Sequence, residues 1–265
     1  IANTSELQFE QEFGNSFLGT GNTLINANTL LGLQGHDALW TKENVYLYQE
    51  PRKNNQYIMT VDVARGRGQD YSTFSIFDVT EKPFKQVGIY RNNLISPLLF
   101  PDVIARYAKM YNEAIVIVEN NDQGQIVCNN LHYDLEYPNV FMESSVKSTG
   151  IGVTMTRKVK QIGCSTLKEL MEENKLRVID KFTISELVTF VAKGQSYEAD
   201  GGNHDDLVMN LVLFAWFITT PYFQSLTDLE LKKMLYDEQQ QLIEDDMVPF
   251  GIIDDGNRGP DVFKE

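Results

Sequence analysis

The chain has 265 residues, 42% of them apolar, with two cysteines and a formal net charge of -14. This composition is that of an ordered globular protein, no stretch approaches the ~20 uncharged apolar residues of a membrane span, and the opening "IANTSELQFEQEF" lacks the basic region and apolar core of a signal peptide, so a cytosolic setting is expected. Cys128 and Cys164 stand far apart with no histidine at metal-ligand spacing, which makes them core thiols and gives no basis for a disulfide framework or a zinc site.

The charge is unevenly spread. From Ser225 to Glu265 eleven acids face four bases, a local -7, whereas between Lys147 and Arg177 seven bases face three acids, a local +4. A nucleic-acid surface belongs on the second stretch rather than the first.

Residues 1–50 contain Asn-rich and Gly-rich turns with little sustained periodicity, and read as a lead-in segment that docks on the main domain. From Tyr57 the pattern becomes regular. Strands are expected over 57–63, 72–79 and 84–91, separated by "ARGRGQD" and "TEKP", as an antiparallel meander. Ser96-Pro97 then signals a helix start, and Leu98, Leu99, Val103, Ile104, Tyr107, Ala108 and Tyr111 recur at helical spacing to about residue 113. "AIVIVE", 114–119, is the continuous apolar run of a strand buried on both faces. A helix over 121–134, a short strand "NVFME", a basic helix over about 157–174 with Val159, Ile162, Leu167, Leu170 and Met171 inward, and "LRVID" continue an α/β alternation. "HDDLVMNLVLFAWFITT" is apolar on nearly all sides, a buried helix ending before Pro221, and a surface helix with an acidic end follows.

Three acidic positions close or open these elements. Asp62 ends the first meander strand, following Ile58 and Thr60 on one face; Glu119 closes "AIVIVE" at its carboxyl end; Asp205 and Asp206 begin the apolar helix. Each has a plain structural explanation: a turn-initiating aspartate, a solvent-exposed strand end, a helix cap. Brought to one sheet edge, they would instead repel one another, and a hard divalent cation with carboxylate and water ligands, Mg2+ or Mn2+, relieves such a cluster. Two such ions would stabilise the attacking and leaving oxygens of phosphodiester hydrolysis without a protein nucleophile.

The order strand-Asp, two antiparallel strands, helix, strand-Glu, then a late helix opening with His-Asp-Asp resembles the RNase H-like nuclease domain of the large terminase subunit of tailed bacteriophages, and is most similar to the T4-like group. "VDVARGRGQDYS", "IVIVEN" and "GGNHDDLVMNLVLFAW" carry the resemblance, with "LQFEQEFGNSFLGTGNTLI" added as a segment leading out of a motor domain. Together they span about residues 7–220. The resemblance implies an α/β RNase H-like fold, with a central mixed β-sheet of three antiparallel strands followed by parallel ones, flanked by helices. It implies a two-metal DNA endonuclease that cuts concatemeric viral DNA during genome packaging. Asp62, Glu119 and one of Asp205 and Asp206, with Asp206 favoured, would be its catalytic ligands for Mg2+ or Mn2+. The implied partners are double-stranded DNA, an ATPase motor domain of the same protein, the portal and procapsid, and the small terminase subunit, in the host cytoplasm and without a membrane. No G-x-x-x-x-G-K-[ST] loop is present, so neither motor nor nucleotide cofactor is expected in this chain. The expected organisation is a lead-in from an absent motor over 1–50, a nuclease core over 51–224 and an acidic tail over 225–265.

Under this reading "KSTGIGVTMTRKVKQ" supplies Lys147, Arg157, Lys158 and Lys160 as phosphate contacts at a helix start, with a solvated basic face as the plain alternative. Arg65 and Arg67, beside Asp62, would contact the scissile strand, or else form a surface loop. His204 would be an auxiliary group polarising water or binding the scissile phosphate, or else a structural histidine, and His36 and His132 receive no role. A junction-resolving or other structure-selective nuclease would use the same carboxylates, and a non-catalytic packaging or docking module would use them structurally. A dinucleotide site at Gly66-Arg67-Gly68 fails, because "STFSIFDV" after the turn reads as a strand where that site needs a helix.

Overall fold

The computed structural model describes residues 22–144 and 149–226. Those up to Thr219 belong to one compact unit, and Thr220 opens a second. Most of "LQFEQEFGNSFLGTGNTLI", together with Lys147 and nearly all of the expected acidic tail, lies outside the described residues.

In chain order the elements are α1 (Ala27–Leu31), β1 (Trp40–Lys42), β2 (Val45–Leu47), β3 (Tyr57–Asp62), β4 (Ser72–Asp78), β5 (Phe84–Asn92), α2 (Phe100–Met110), β6 (Ile115–Val118), α3 (Gly124–Asn129, prolonged by a π-helical turn Asn130–Asp134), β7 (Met142–Ser144), β8 (Thr149–Ile151), α4 (Arg157–Glu172), β9 (Leu176–Arg177), α5 (Lys181–Thr189), β10 (Phe190–Lys193), β11 (Ser196–Ala199) and α6 (Asp206–Phe217). The central sheet runs β1-β2-β5-β4-β3-β6, with β9 pairing on β5. The meander β3-β4-β5 is antiparallel as its short turns require, and β6 returns through α2 to lie parallel to β3. Residues 22–50 do more than dock: β2 pairs with β5, and Ile25 and Leu30 are fully buried.

The alternation along β3 sorts its side chains between two layers. Met59 and Val61, with Phe74 and Ile76 of β4, enter a core shared with Phe100, Ile104, Tyr107 and Tyr111 of and after α2. Thr60 points the other way, its hydroxyl donating to the Asn210 carbonyl of α6 at 3.0 Å. On that face the Thr73 hydroxyl donates to the Asp206 carbonyl at 3.2 Å, the Asn210 amide donates to Thr73 Oγ1 at 2.7 Å, and Phe77 stacks on Phe214 at 4.1 Å. Every residue of α6 is buried, as its lack of a polar face demands.

Two of the boundaries that differ from expectation have a visible cause. The helix foreseen from Ser96 starts at Phe100, because Pro101 has no N–H and fits only a first turn, while the Ser96 carbonyl accepts the Leu99 and Phe100 amides in a preceding turn. "LRVID" forms only a two-residue strand, because Asp180 is engaged as the N-cap of α5, accepting the Thr183 amide and hydroxyl, each at 2.6 Å. Tyr48 donates to the other Asp180 oxygen at 2.5 Å and so ties the chain after β2 to this cap.

α4 covers the outer side of α6 through Gly163, where an added Cβ would stand 2.4 Å from the Val212 carbonyl oxygen. Gly→Ala inside a helix ordinarily stabilises by about 1 kcal/mol. Here overpacking, which costs about 1–3 kcal/mol, outweighs that gain, so Gly163→Ala is expected to lower the unfolding midpoint in urea, and a raised midpoint would show that the helices do not approach this closely.

Candidate metal centre

Asp62 ends β3 on the face that α6 covers, two residues beyond Thr60. Continuing the parallel register from Val61↔Val118 sets Glu119 beside it, and the Glu119 amide donates to the Val61 carbonyl at 2.9 Å. Gly124 allows the first turn of α3 to cross this strand end, since a Cβ there would lie 1.8 Å from the Glu119 carbonyl oxygen. Asp205 and Asp206 arrive from the start of α6, so the fold collects four carboxyls from three elements at one sheet edge.

The charges of these carboxyls act on one another. Asp62 is driven well above the ordinary carboxylate range, first by burial and then by the charges of Glu119, Asp206 and Asp205. Burial pushes Glu119 up to about 7, with Lys160 opposing and Asp205 adding. Burial likewise pushes Asp206 up to about 7, with the Tyr71 amide opposing and Asp205 and Asp70 adding. A cavity of about 400 Å³ opens onto Asp62, Arg65, Arg67, Asp70, Asp205 and Asp206, whereas Glu119 is not part of its lining. Cavities of about 600 Å³ beside His36 and about 480 Å³ beside Trp40 are larger but contain none of these four carboxyls.

Asp205 occupies the cap position of α6 yet makes no capping hydrogen bond; its Oδ2 accepts the Ala199 amide at 3.3 Å instead. The cap explanation for this pair therefore does not account for either carboxyl. Asp206 Oδ2 accepts the Tyr71 amide at 3.3 Å and stands 3.6 Å from Nδ1 of His204, whose ring packs edge-on against Tyr71.

The donor chemistry fits hard divalent cations: carboxylate oxygens crowded in a polar opening, with no Lys or Arg in an ion pair with Asp62, Glu119, Asp205 or Asp206 among the described residues. No group of three or more His, Cys, Asp or Glu among the described residues is, however, already set to hold a metal ion.

The basic residues divide. Arg65 and Arg67 are exposed on the cavity rim, Arg65 pairing with Asp122 at 2.7 Å. Lys160 reaches toward Glu119 and also lies 5.7 Å over the Phe190 ring. Arg157 and Lys158 are exposed at the start of α4, outside the cavity lining, and Lys147 lies outside the described residues. Sequence reasoning missed Asp70 and Asp122, although both lie in polar turns next to the chosen acids. It also missed Glu186 and Arg91, whose positions inside α5 and β5 carry no sequence signal, and Tyr71, which lies in the loop just before β4.

Residues 59–215 match the profile of the terminase RNaseH-like domain. The chain belongs to the terminase RNaseH-like domain family. It is 29% identical over 217 residues to the large terminase subunit of Thermus virus P23-45, covering 78% of this chain and 40% of that protein, so it spans well under half the length of this relative. In structure it is similar to the large terminase nuclease of the thermophilic phage G20c solved with bound magnesium, with a TM-score of 0.60 at 22% identity over 74% of this chain and 97% of that one. The large terminase nuclease domain of Thermus phage P74-26 gives a TM-score of 0.57 at 23% identity over 72% and 93%. The expected RNase H-like architecture, a mixed sheet flanked by helices, is thus present in this terminase domain.

Because Glu119 and Asp206 have folded pKa values raised to about 7, while unfolded carboxyls titrate near 4, the folded domain retains protons that the unfolded chain has lost. Their contribution to stability is present below about pH 4 and is lost as pH rises through about 7. In chelator, the melting temperature should therefore fall between about pH 5 and about pH 8, excess Mg2+ should remove the fall, and Asp62→Asn should melt higher than the parent in chelator while losing the Mg2+ response. A melting temperature indifferent to Mg2+ at about pH 8 would contradict this electrostatic account.

Proposed function

We propose that this chain is the nuclease part of a large terminase subunit, a Mg2+- or Mn2+-dependent DNA endonuclease that cuts concatemeric viral DNA during packaging. The observation that carries the reading is the meeting of Asp62, Glu119, Asp205 and Asp206 at one sheet edge in a terminase RNaseH-like domain. The magnesium bound to the phage G20c nuclease supports the choice of cation.

Asp62, Glu119 and Asp206, with Asp205 beside them, would hold the cations. Two divalent cations held there would supply Lewis-acid stabilisation to the attacking and leaving oxygens of a phosphodiester. Arg65 and Arg67 orient the scissile strand at the rim. The Arg65 pair with Asp122 is solvent-exposed and therefore weak, and so is readily exchanged for a phosphate. His204, held between Tyr71 and Asp206, serves as an auxiliary group toward water or the scissile phosphate. Arg157, Lys158, Lys160 and Lys147 would extend the phosphate contacts along the backbone of the duplex, which positions DNA without reading its sequence.

The wider context belongs to the same proposal. Residues 1–50 would lead from an ATPase motor domain, 51–224 would form the nuclease core and 225–265 an acidic tail. Portal, procapsid and small subunit would be partners in the host cytoplasm, with kinship to the T4-like group. Among the described residues no helix is long and apolar enough to cross a membrane.

Purified protein with Mg2+ or Mn2+ is expected to nick plasmid DNA. Asp62→Ala should lower the rate by roughly 100-fold or more, the kinetic equivalent of losing several kcal/mol of metal-borne charge stabilisation. Equal cutting by the variant would rule out the metal centre, and cutting confined to branched DNA would reassign it to a structure-selective nuclease. Since the chain carries a net charge of -14, cleavage by the isolated domain should be slow and should fall steeply between about 50 and 200 mM salt, as counterion release requires. Cleavage undiminished at the higher salt would contradict this.

A further inference from the structure

The first N–H groups of a helix have no partner within it, and a side chain at the cap position ordinarily accepts from the second or third residue. In α6 those residues are Leu207 and Val208, buried in the protein interior, where an unpaired N–H is costly. Neither Asp205 nor Asp206 accepts from them. Both amides donate instead to one oxygen of Glu186, at 2.7 and 3.2 Å. Glu186 lies in α5 and is buried, with 6% of its surface exposed.

The rest of the Glu186 carboxyl closes a loop around the same helix start. Its Oε1 makes no hydrogen bond and stands 3.7 Å from Nε of Arg91, which is likewise buried without a hydrogen bond at that atom. The Arg91 guanidinium lies 3.5 Å over the Tyr71 ring, and the Tyr71 amide donates to Asp206. Glu186, Arg91, Tyr71 and Asp206 thus form a continuous set of contacts from α5 through β5 and the residue before β4 back to α6.

We propose that Glu186 is a positioning residue of the carboxylate centre, capping α6 from a neighbouring helix so that Asp205 and Asp206 are released from capping and directed to the strand ends of Asp62 and Glu119. This rests on the metal-centre reading above. Without Glu186, the side chain placed to accept the Leu207 and Val208 amides is that of the cap residue, Asp205, and turning it inward removes it from the cavity.

The test uses Glu186→Met, which keeps bulk without a carboxyl acceptor, and Glu186→Gln, which keeps one acceptor oxygen. Ile104→Ala, in the core on the opposite face of the sheet, controls for lost stability alone. Mn2+ binding is followed by calorimetry, and hydrogen exchange at Leu207 and Val208 is measured in chelator. Glu186→Met should weaken Mn2+ binding about tenfold or more and expose both amides to exchange, as loss of a residue that orients metal ligands does. Glu186→Gln should stay within about threefold of the parent and keep both amides protected, and Ile104→Ala should bind Mn2+ as the parent does. If Glu186→Met does not fold, Glu186→Asp, one methylene short of the same reach, is read in its place with the same expectation. Parent-like Mn2+ binding in the acceptor-less variant overturns the positioning role, and unchanged exchange overturns the cap itself. A parent that takes up no Mn2+, with amide protection still lost in Glu186→Met and kept in Glu186→Gln, overturns the metal reading while supporting the cap.

Discussion

A helix buried on every side must find partners for its polar ends inside the protein, and α6 is such a helix. Its apolar length is fixed to the sheet by Phe77 against Phe214 and by the hydroxyls of Thr60 and Thr73 on its carbonyls. Its start is where Asp205 and Asp206 stand. Each buried N–H left unpaired would cost about 1–3 kcal/mol, enough to pull a nearby carboxyl inward. The placement of the site therefore depends on how that end is satisfied, and Glu186 satisfies it from outside the helix.

The same region concentrates negative charge against the trend of the fold. Asp62, Glu119 and Asp206 are all shifted upward by burial and by neighbouring carboxylates, which no stability requirement explains. The cost is carried by a sheet buried on both faces and by the packed layers of α2 on one side and α6 with α4 on the other. A bound divalent cation would reverse the sign of the interactions among these carboxylates.

Much of the architecture was legible because it rests on period. The meander strands, the buried "IVIV" strand and the all-apolar final helix follow from alternation, continuous apolar runs and the absence of a polar face. Helix α5 was not legible: "KFTISELVT" is rich in β-branched and aromatic residues, and only the Asp180 cap with its Tyr48 and Thr183 partners makes it helical. Strands β1 and β2 were hidden for a related reason. Three-residue strands have no measurable period, and they exist because β5 offers an edge to β2, which in turn pairs with β1.

By itself the sequence determined which carboxylates stand at element ends, since the two-residue period of β3 puts Asp62 on the Thr60 face and the apolar run before Glu119 ends there. It also placed Asp205 and Asp206 at the mouth of a helix with nowhere to go but the interior. Only the tertiary structure decided that these ends meet, through the parallel register of β3 with β6 and the crossing of α6 over β3. It alone decided, too, that neither aspartate is the cap. A hydrogen bond from Leu207 to a glutamate 21 residues earlier depends on two helices packing side by side, and local sequence carries no trace of that.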